Sequence, residues 1–269
     1  MVEGEGHPAE PGLHAWVRDG WQLVDWCDPH DGAALVADSW RVVDARVRGL
    51  DRHRARFLHG VEQQRPNALP AADSFIAAVV DALPRTRDWF PRIELRERGD
   101  DTQLWYRLRP TPLTSTEVVL ATSPRDVRTQ PLVKGPDLDA LQALRTEVQP
   151  LGAGEAVIVD EYGHIVEGAY SAVLWWRDGV LVRPDDSLPR IASVTAGLVL
   201  DAARAEGVPL AEERARPHEL AGCEVWVLSA LHGLRAATNW VDAPALAPPR
   251  RAAQGRAWLE AAETPLAQR

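Results

Sequence analysis

Short apolar runs that alternate with polar residues and close in tight turns constrain this chain more than any other feature. His14 to Cys27 alternates around Asp19-Gly20, Trp40 to Leu50 around Asp44-Ala45, and Ala172 to Trp176 passes through Asp178-Gly179 into Val180 to Arg183. A period of two with a turn-forming pair at the reversal predicts antiparallel strands. Ile93 to Glu97 and Leu104 to Arg109 flank a polar Gly99-Asp100-Asp101 turn. Glu117 to Ala121, Glu155 to Asp160, His164 to Glu167 and Glu224 to Ala230 are further extended runs. Helical spacing lies between them. Asp51 is expected to cap an arginine-rich helix ending near Gln63, and Asp73 to Leu83 sets Phe75, Ile76, Val79, Val80 and Leu83 on one face before Pro84. Leu138, Leu141, Leu144 and Val148 follow Pro136 at a first helical turn, and Ser193 to Glu206 turns Leu198, Val199 and Ala202 inward ahead of Gly207. Strands and helices mixed in this way predict an α+β or α/β fold.

With 269 residues, 45% of them hydrophobic, the chain can bury the core of one large domain or two ordinary ones. The polar stretch from Thr122 to Pro131 reads as a linker. The expected organisation is a flexible tail (1–12), an N-terminal α/β domain (13–122), a linker (123–131), a C-terminal domain (132–242) and a Pro/Ala-rich tail with a short helix (243–269).

A formal net charge of -9 argues against a broad nucleic-acid surface or an anionic-membrane anchor, which leaves a small molecule as the expected partner. No apolar run approaches the roughly 20 residues that span a bilayer. Met1 to Gly12 is polar and acidic, unlike a secretory signal, so a cytoplasmic location is expected. Cys27 and Cys223 lie far apart without clustered ligand partners, which predicts two reduced thiols and no metal site.

Of the 30 Lys and Arg residues only Lys134 is a lysine, which leaves 29 arginines. Arginine carries a cation equally well but cannot act as an amine nucleophile, because its guanidinium stays protonated. A solitary side-chain amine therefore suggests amine chemistry, while composition alone equally allows an ordinary surface lysine.

The neighbourhood of Lys134 decides between them. The lysine before a helix, then "EAVIVDEYGHIVEGAYSAVLWWRDGVLVRP", "IASVTAGLVLDAA" and "EVWVLSALHGLR", taken in that order, resemble the class IV aminotransferase family of fold type IV. The likeness covers roughly the C-terminal half. "VADSWRVVDARVRGLDRHRARF" and "YRLRPTP" extend it more thinly into the N-terminal half. The resemblance implies a two-domain fold with a small N-terminal α/β domain and a larger, β-barrel-like C-terminal domain with helices. It further implies pyridoxal 5′-phosphate (PLP) as cofactor and a homodimer.

Residue by residue, the resemblance makes Lys134 the amine that holds PLP as a Schiff base and then acts as general base at the substrate's amine-bearing carbon. Glu167 in "VEGAYS" matches the carboxylate that pairs with the pyridine nitrogen. Val194 and Thr195 match the turn that cradles the phosphate at a helix start, where Thr195 and Ser193 also suit a plain N-cap. Arg56, three residues after His53, matches the arginine that contacts the phosphate, although Arg52 and Arg54 beside it equally suit a solvated basic face. Arg109 resembles an arginine near the substrate carboxylate. Arg107 shares its strand face, so alternation alone leaves both in play. Ser229 joins the cofactor set, and His232 and Arg235 the substrate set.

Ser229 to Arg235 looks more like the 4-amino-4-deoxychorismate lyase branch than the branched-chain enzymes. The leading expectation is a lyase giving 4-aminobenzoate and pyruvate, with transamination between an amino acid and a keto acid as the alternative. A third reading is a non-catalytic relative. Departures from the family pattern at Ser229, Ala236-Ala237, Ala172 and the Ala37 to Val42 strand, which usually carries Phe-Glu-Thr, leave substrate identity open.

Overall fold

A computed structural model of the chain describes residues 8–24 and 32–266. Cys27 and the end of the first predicted hairpin, with most of the 1–12 tail, lie outside the described residues. The chain forms two compact units. One takes the sequence up to Leu113 together with Val133–Pro136 and the end from Glu263, and the other takes Thr114–Leu132 and Asp137–Ala262.

This division differs from the expected one. The 123–131 stretch is part of the second unit instead of a linker, and Lys134, expected in the C-terminal domain, groups with the first unit.

The first unit contains β1 (Gly12–Val17), β2 (Gly20–Leu23), β3 (Ala34–Ser39), β4 (Val42–Val43), β5 (Arg46–Arg48), α1 (Leu50–Gln64), α2 (Leu69–Ala82), β6 (Asp88–Trp89), β7 (Arg92–Arg98) and β8 (Asp101–Leu108). Its main sheet runs β2-β1-β8-β7-β3, antiparallel throughout. The reversals at Arg18-Asp19 and Asp44-Ala45 have positive φ at both residues, the backbone that two-residue hairpins need. Register aligns Asp38, Ile93, Tyr106 and His14 across the sheet, so they share the face packed by Phe57 and Val61 of α1 and Phe75, Ile76 and Val79 of α2. Two helix starts are corrected. α1 begins after Gly49, whose left-handed φ of 60° sets the entry and leaves Asp51 in the first turn. α2 begins at Leu69 instead of near Asp73, because Pro70 suits a first helical turn.

The second unit follows with β9 (Glu117–Thr122), α3 (Leu138–Val148), β10 (Glu155–Val159), β11 (Ile165–Gly168), β12 (Ala172–Arg177), β13 (Val180–Pro184), α4 (Val194–Ala205), β14 (Leu210–Glu213), β15 (Glu224–Ser229), β16 (Gly233–Val241) and α5 (Ala252–Ala261). Pro136 precedes α3 without joining it, Asp137 being the residue at the cap. Within the expected tail, α5 is a helix and the last strand, β17 (Glu263–Pro265), pairs with β5 of the first unit.

Eight strands of the second unit form one mixed sheet in the order β11-β10-β9-β16-β15-β12-β13-β14. β9 runs parallel to both its neighbours, and β11 and β14 do not pair with each other. The sheet is therefore a curled half-barrel that stays open. Leu141, Leu144 and Val148 of α3 pack on Ala156 and Ile158, while Val199, Trp258 and Leu259 of α4 and α5 pack with Trp176, Trp226 and Leu228. Alternate residues Trp175, Val225, Val227 and Trp240 form a separate cluster. Among the described residues no helix is long and apolar enough to cross a membrane.

Candidate active site

Lys134 is fixed through its backbone. Its carbonyl oxygen accepts a 2.6 Å hydrogen bond from the amide of Ala37 on β3. The next residue has to be glycine. Gly135 sits at φ +149°, and a Cβ there would lie 2.7 Å from Val36 Cα and 2.9 Å from Ala37 N, both backbone atoms that cannot move aside. Gly135→Ala should therefore destabilise the first unit by about 2 kcal/mol, from overpacking and backbone strain together. Thermal unfolding of the variant measures the loss, and an unchanged Tm would contradict the close approach.

One residue along β3, the Asp38 carboxylate is fully buried. It accepts hydrogen bonds from His53 Nδ1 (Oδ1, 2.8 Å), from Arg56 Nε (Oδ2, 2.8 Å) and from Arg56 Nη2 (Oδ1, 2.8 Å). Burial pushes its acidity towards the neutral form, but the Arg56 and His53 charges and hydrogen bonds outweigh it and hold the carboxyl well below the usual range. Arg56 is therefore a half-buried guanidinium oriented by Asp38 instead of a member of a solvated basic face. Its neighbour Arg54 does point outward, to Asp73. Asp38 was not singled out in the sequence, although the departure at Ala37 to Val42 was its signal.

Arg109 lies just beyond β8, against Phe90. Its Nε donates to the Phe90 carbonyl at 2.9 Å, its guanidinium covers the Phe90 ring at 4.7 Å, and its own carbonyl accepts from the Phe90 amide. Arg107 stands opposite Arg92 in the register of β7 and β8.

In the second unit Glu167 lies next to the last residue of β11, buried, with Oε1 2.6 Å from Arg128 Nη1. α4 starts after Ser193, whose Oγ accepts from the Ala196 amide at 3.2 Å. Val194 and Thr195 fill the first turn, where backbone N–H groups have no partner within the helix, and both side chains are buried. The loop entering α4 is folded around Arg190, which donates to the carbonyls of Pro184, Asp185 and Leu188. Sequence spacing gave no sign of Arg128 or Arg190, because their partners come from other segments.

Ser229 and His232 meet in the turn between β15 and β16. Ser229 Oγ accepts from the His232 amide, and His232 Nδ1 accepts from the Ser115 amide at 3.2 Å. An accepting Nδ1 leaves the ring hydrogen on Nε2 when the imidazole is neutral. Arg235, expected on the substrate side, is 4% exposed and donates to Glu155 at 2.9 Å. Its place on β16, in register with Val227, turns it to the buried face of the sheet. Burial pulls its guanidinium below its ordinary pKa, with Glu155 opposing. In the structure Arg235 makes an internal ion pair with Glu155.

No group of His, Cys, Asp or Glu that could hold a metal is present among the described residues. Cys223 is buried and forms no disulfide among the described residues.

The chain belongs to the class IV aminotransferase family, whose model, Amino-transferase class IV, matches residues 35–240. No curated protein matches the sequence. Solved structures share the fold. A fold IV-transaminase from Curtobacterium pusillum aligns over 93% of this chain and 97% of its own at 21% identity, with a TM-score of 0.77. A hypothetical aminotransferase from Mycobacterium tuberculosis in a PLP-bound form aligns over 93% and 98% at 18% identity, TM-score 0.74. The branched-chain aminotransferase of the thermophilic archaeon Thermoproteus uzoniensis, with norvaline, aligns over 94% of this chain and 99% of its own at 16% identity, TM-score 0.79.

Proposed function

We propose that the chain is a PLP-dependent enzyme that removes a proton from the amine-bearing carbon of a small amino substrate, with Lys134 as base. The observation that carries this reading is the solitary side-chain amine, held by its backbone against β3. The donor set suits PLP: one amine for the aldehyde, a carboxylate for the ring nitrogen, and a 12-residue helix whose first turn offers N–H groups and the Thr195 hydroxyl to a phosphate. Bound PLP would supply the electron sink for the reaction. Lys134 would hold the cofactor, then take and return the proton. Glu167 would keep the ring nitrogen charged, Val194 and Thr195 would cradle the phosphate, and Arg56 would add the charged contact. PLP in the Mycobacterium tuberculosis relative is in keeping with this.

For the outcome we favour a lyase acting on 4-amino-4-deoxychorismate, supported by the Ser229 to His232 segment. Transamination is the second reading, favoured by the family model and the aminotransferases that share the fold. A homodimer is part of either. The two separate in one experiment. PLP-loaded protein given aminodeoxychorismate with no amino acceptor should release pyruvate, and given single amino acids should keep its visible absorbance. Bleaching by an amino acid without pyruvate release would establish the transaminase instead.

A further inference from the structure

We propose that Arg128 is a positioning residue that fixes the charge and orientation of Glu167 towards the cofactor's ring nitrogen. This rests on the role given to Glu167 above. The Arg128 side chain is 3% exposed and is gripped on three sides. Its Nε and Nη2 donate to Asp126 Oδ1 and Oδ2 at 2.9 and 2.7 Å, a bidentate fork, while Nη1 donates to Glu167 Oε1 at 2.6 Å and to the Pro189 carbonyl at 2.9 Å.

Such a buried guanidinium cannot swing between rotamers, because each edge of its plane is already tied. It presents one fixed N–H to the carboxylate, so the rotation of Glu167 about its last bond is set by Arg128. A cation at this distance also favours the ionised carboxylate, the form that can pair with a protonated ring nitrogen. Arg190, whose charge also acts on Glu167, has its donors on loop carbonyls and Asp186, so it adds field without a direct hold. The Pro189 contact matters as well. It ties the same guanidinium to the loop that leads into α4, so one side chain sets both the carboxylate and the approach to the helix start.

The test is a cycle of PLP dissociation constants, read by the absorbance of bound cofactor, for the full chain and for Arg128→Gln, Glu167→Gln and the double variant. Circular dichroism checks that each is folded. Arg128→Gln and Glu167→Gln should each weaken PLP about tenfold, as loss of a supporting contact does. The double variant should be no weaker than about twofold beyond either single one, since Arg128 acts only through Glu167. Asp126→Asn, which loosens the fork without touching Glu167, should weaken PLP about threefold and serves if Arg128→Gln does not fold. Additive losses, or normal binding in Arg128→Gln or Asp126→Asn while Glu167→Gln is weakened, would overturn the Arg128 role alone. Normal binding in Glu167→Gln would overturn the assignment of Glu167 and this inference with it.

Discussion

Lys134→Ala is expected to lose at least about a thousandfold in turnover, because cofactor attachment and proton transfer share one amine and the chain has no second side-chain amine to replace it. The same substitution should leave the fold intact. What ties residue 134 to β3 is its carbonyl oxygen on the Ala37 amide, and alanine keeps that bond. Steady-state kinetics beside a thermal melt separate the two effects. A variant that melts normally but turns over at the wild-type rate would remove Lys134 from the chemistry.

The largest stability effect is expected at Asp38. Asp38→Ala leaves Arg56 and His53 around a buried space without their carboxylate, and removing one partner of a buried ion pair costs about 4 kcal/mol, or roughly 10 °C in Tm. The pH dependence has a defined sign. Burial works against the Asp38 charge, but Arg56 and His53 prevail and the folded carboxyl titrates below its unfolded value. Its contribution is therefore fully present above about pH 4 and is lost as pH falls through the folded value. The gap between wild type and Asp38→Ala in chemical unfolding should narrow as pH falls below the carboxylate reference value of about 4. A gap that widens in acid would refute the ion-pair account.

Local signals were legible in the sequence. The Leu138, Leu141, Leu144 and Val148 stripe became the buried face of α3, and Asp44-Ala45 marked the second early hairpin, while the first turns at Arg18-Asp19, one residue before the expected Asp19-Gly20. Non-local pairings were not. β9 lies between β10 and β16, and its partner Ala236 is far along the chain from Glu117, so composition placed the boundary at the polar stretch after β9 instead of before it. The same limit hid Asp38, since His53 and Arg56 show their i, i+3 spacing on α1 but not the strand carboxylate they face. The ion pair of Arg235 was hidden for a related reason. Its motif is local, whereas Glu155, which holds it, lies on a different strand. Glu167, Val194 and Thr195 stood out through their motifs, while Arg128 did not, because the contact that gives it meaning closes a loop.

The most direct measurement uses the rarity of lysine in this chain. The PLP-loaded protein is reduced with borohydride, digested, and mapped by mass. A pyridoxyl adduct on the peptide that carries Lys134, and none on the N-terminal amine, is the predicted result. An unmodified Lys134 in protein that has taken up PLP would contradict the account.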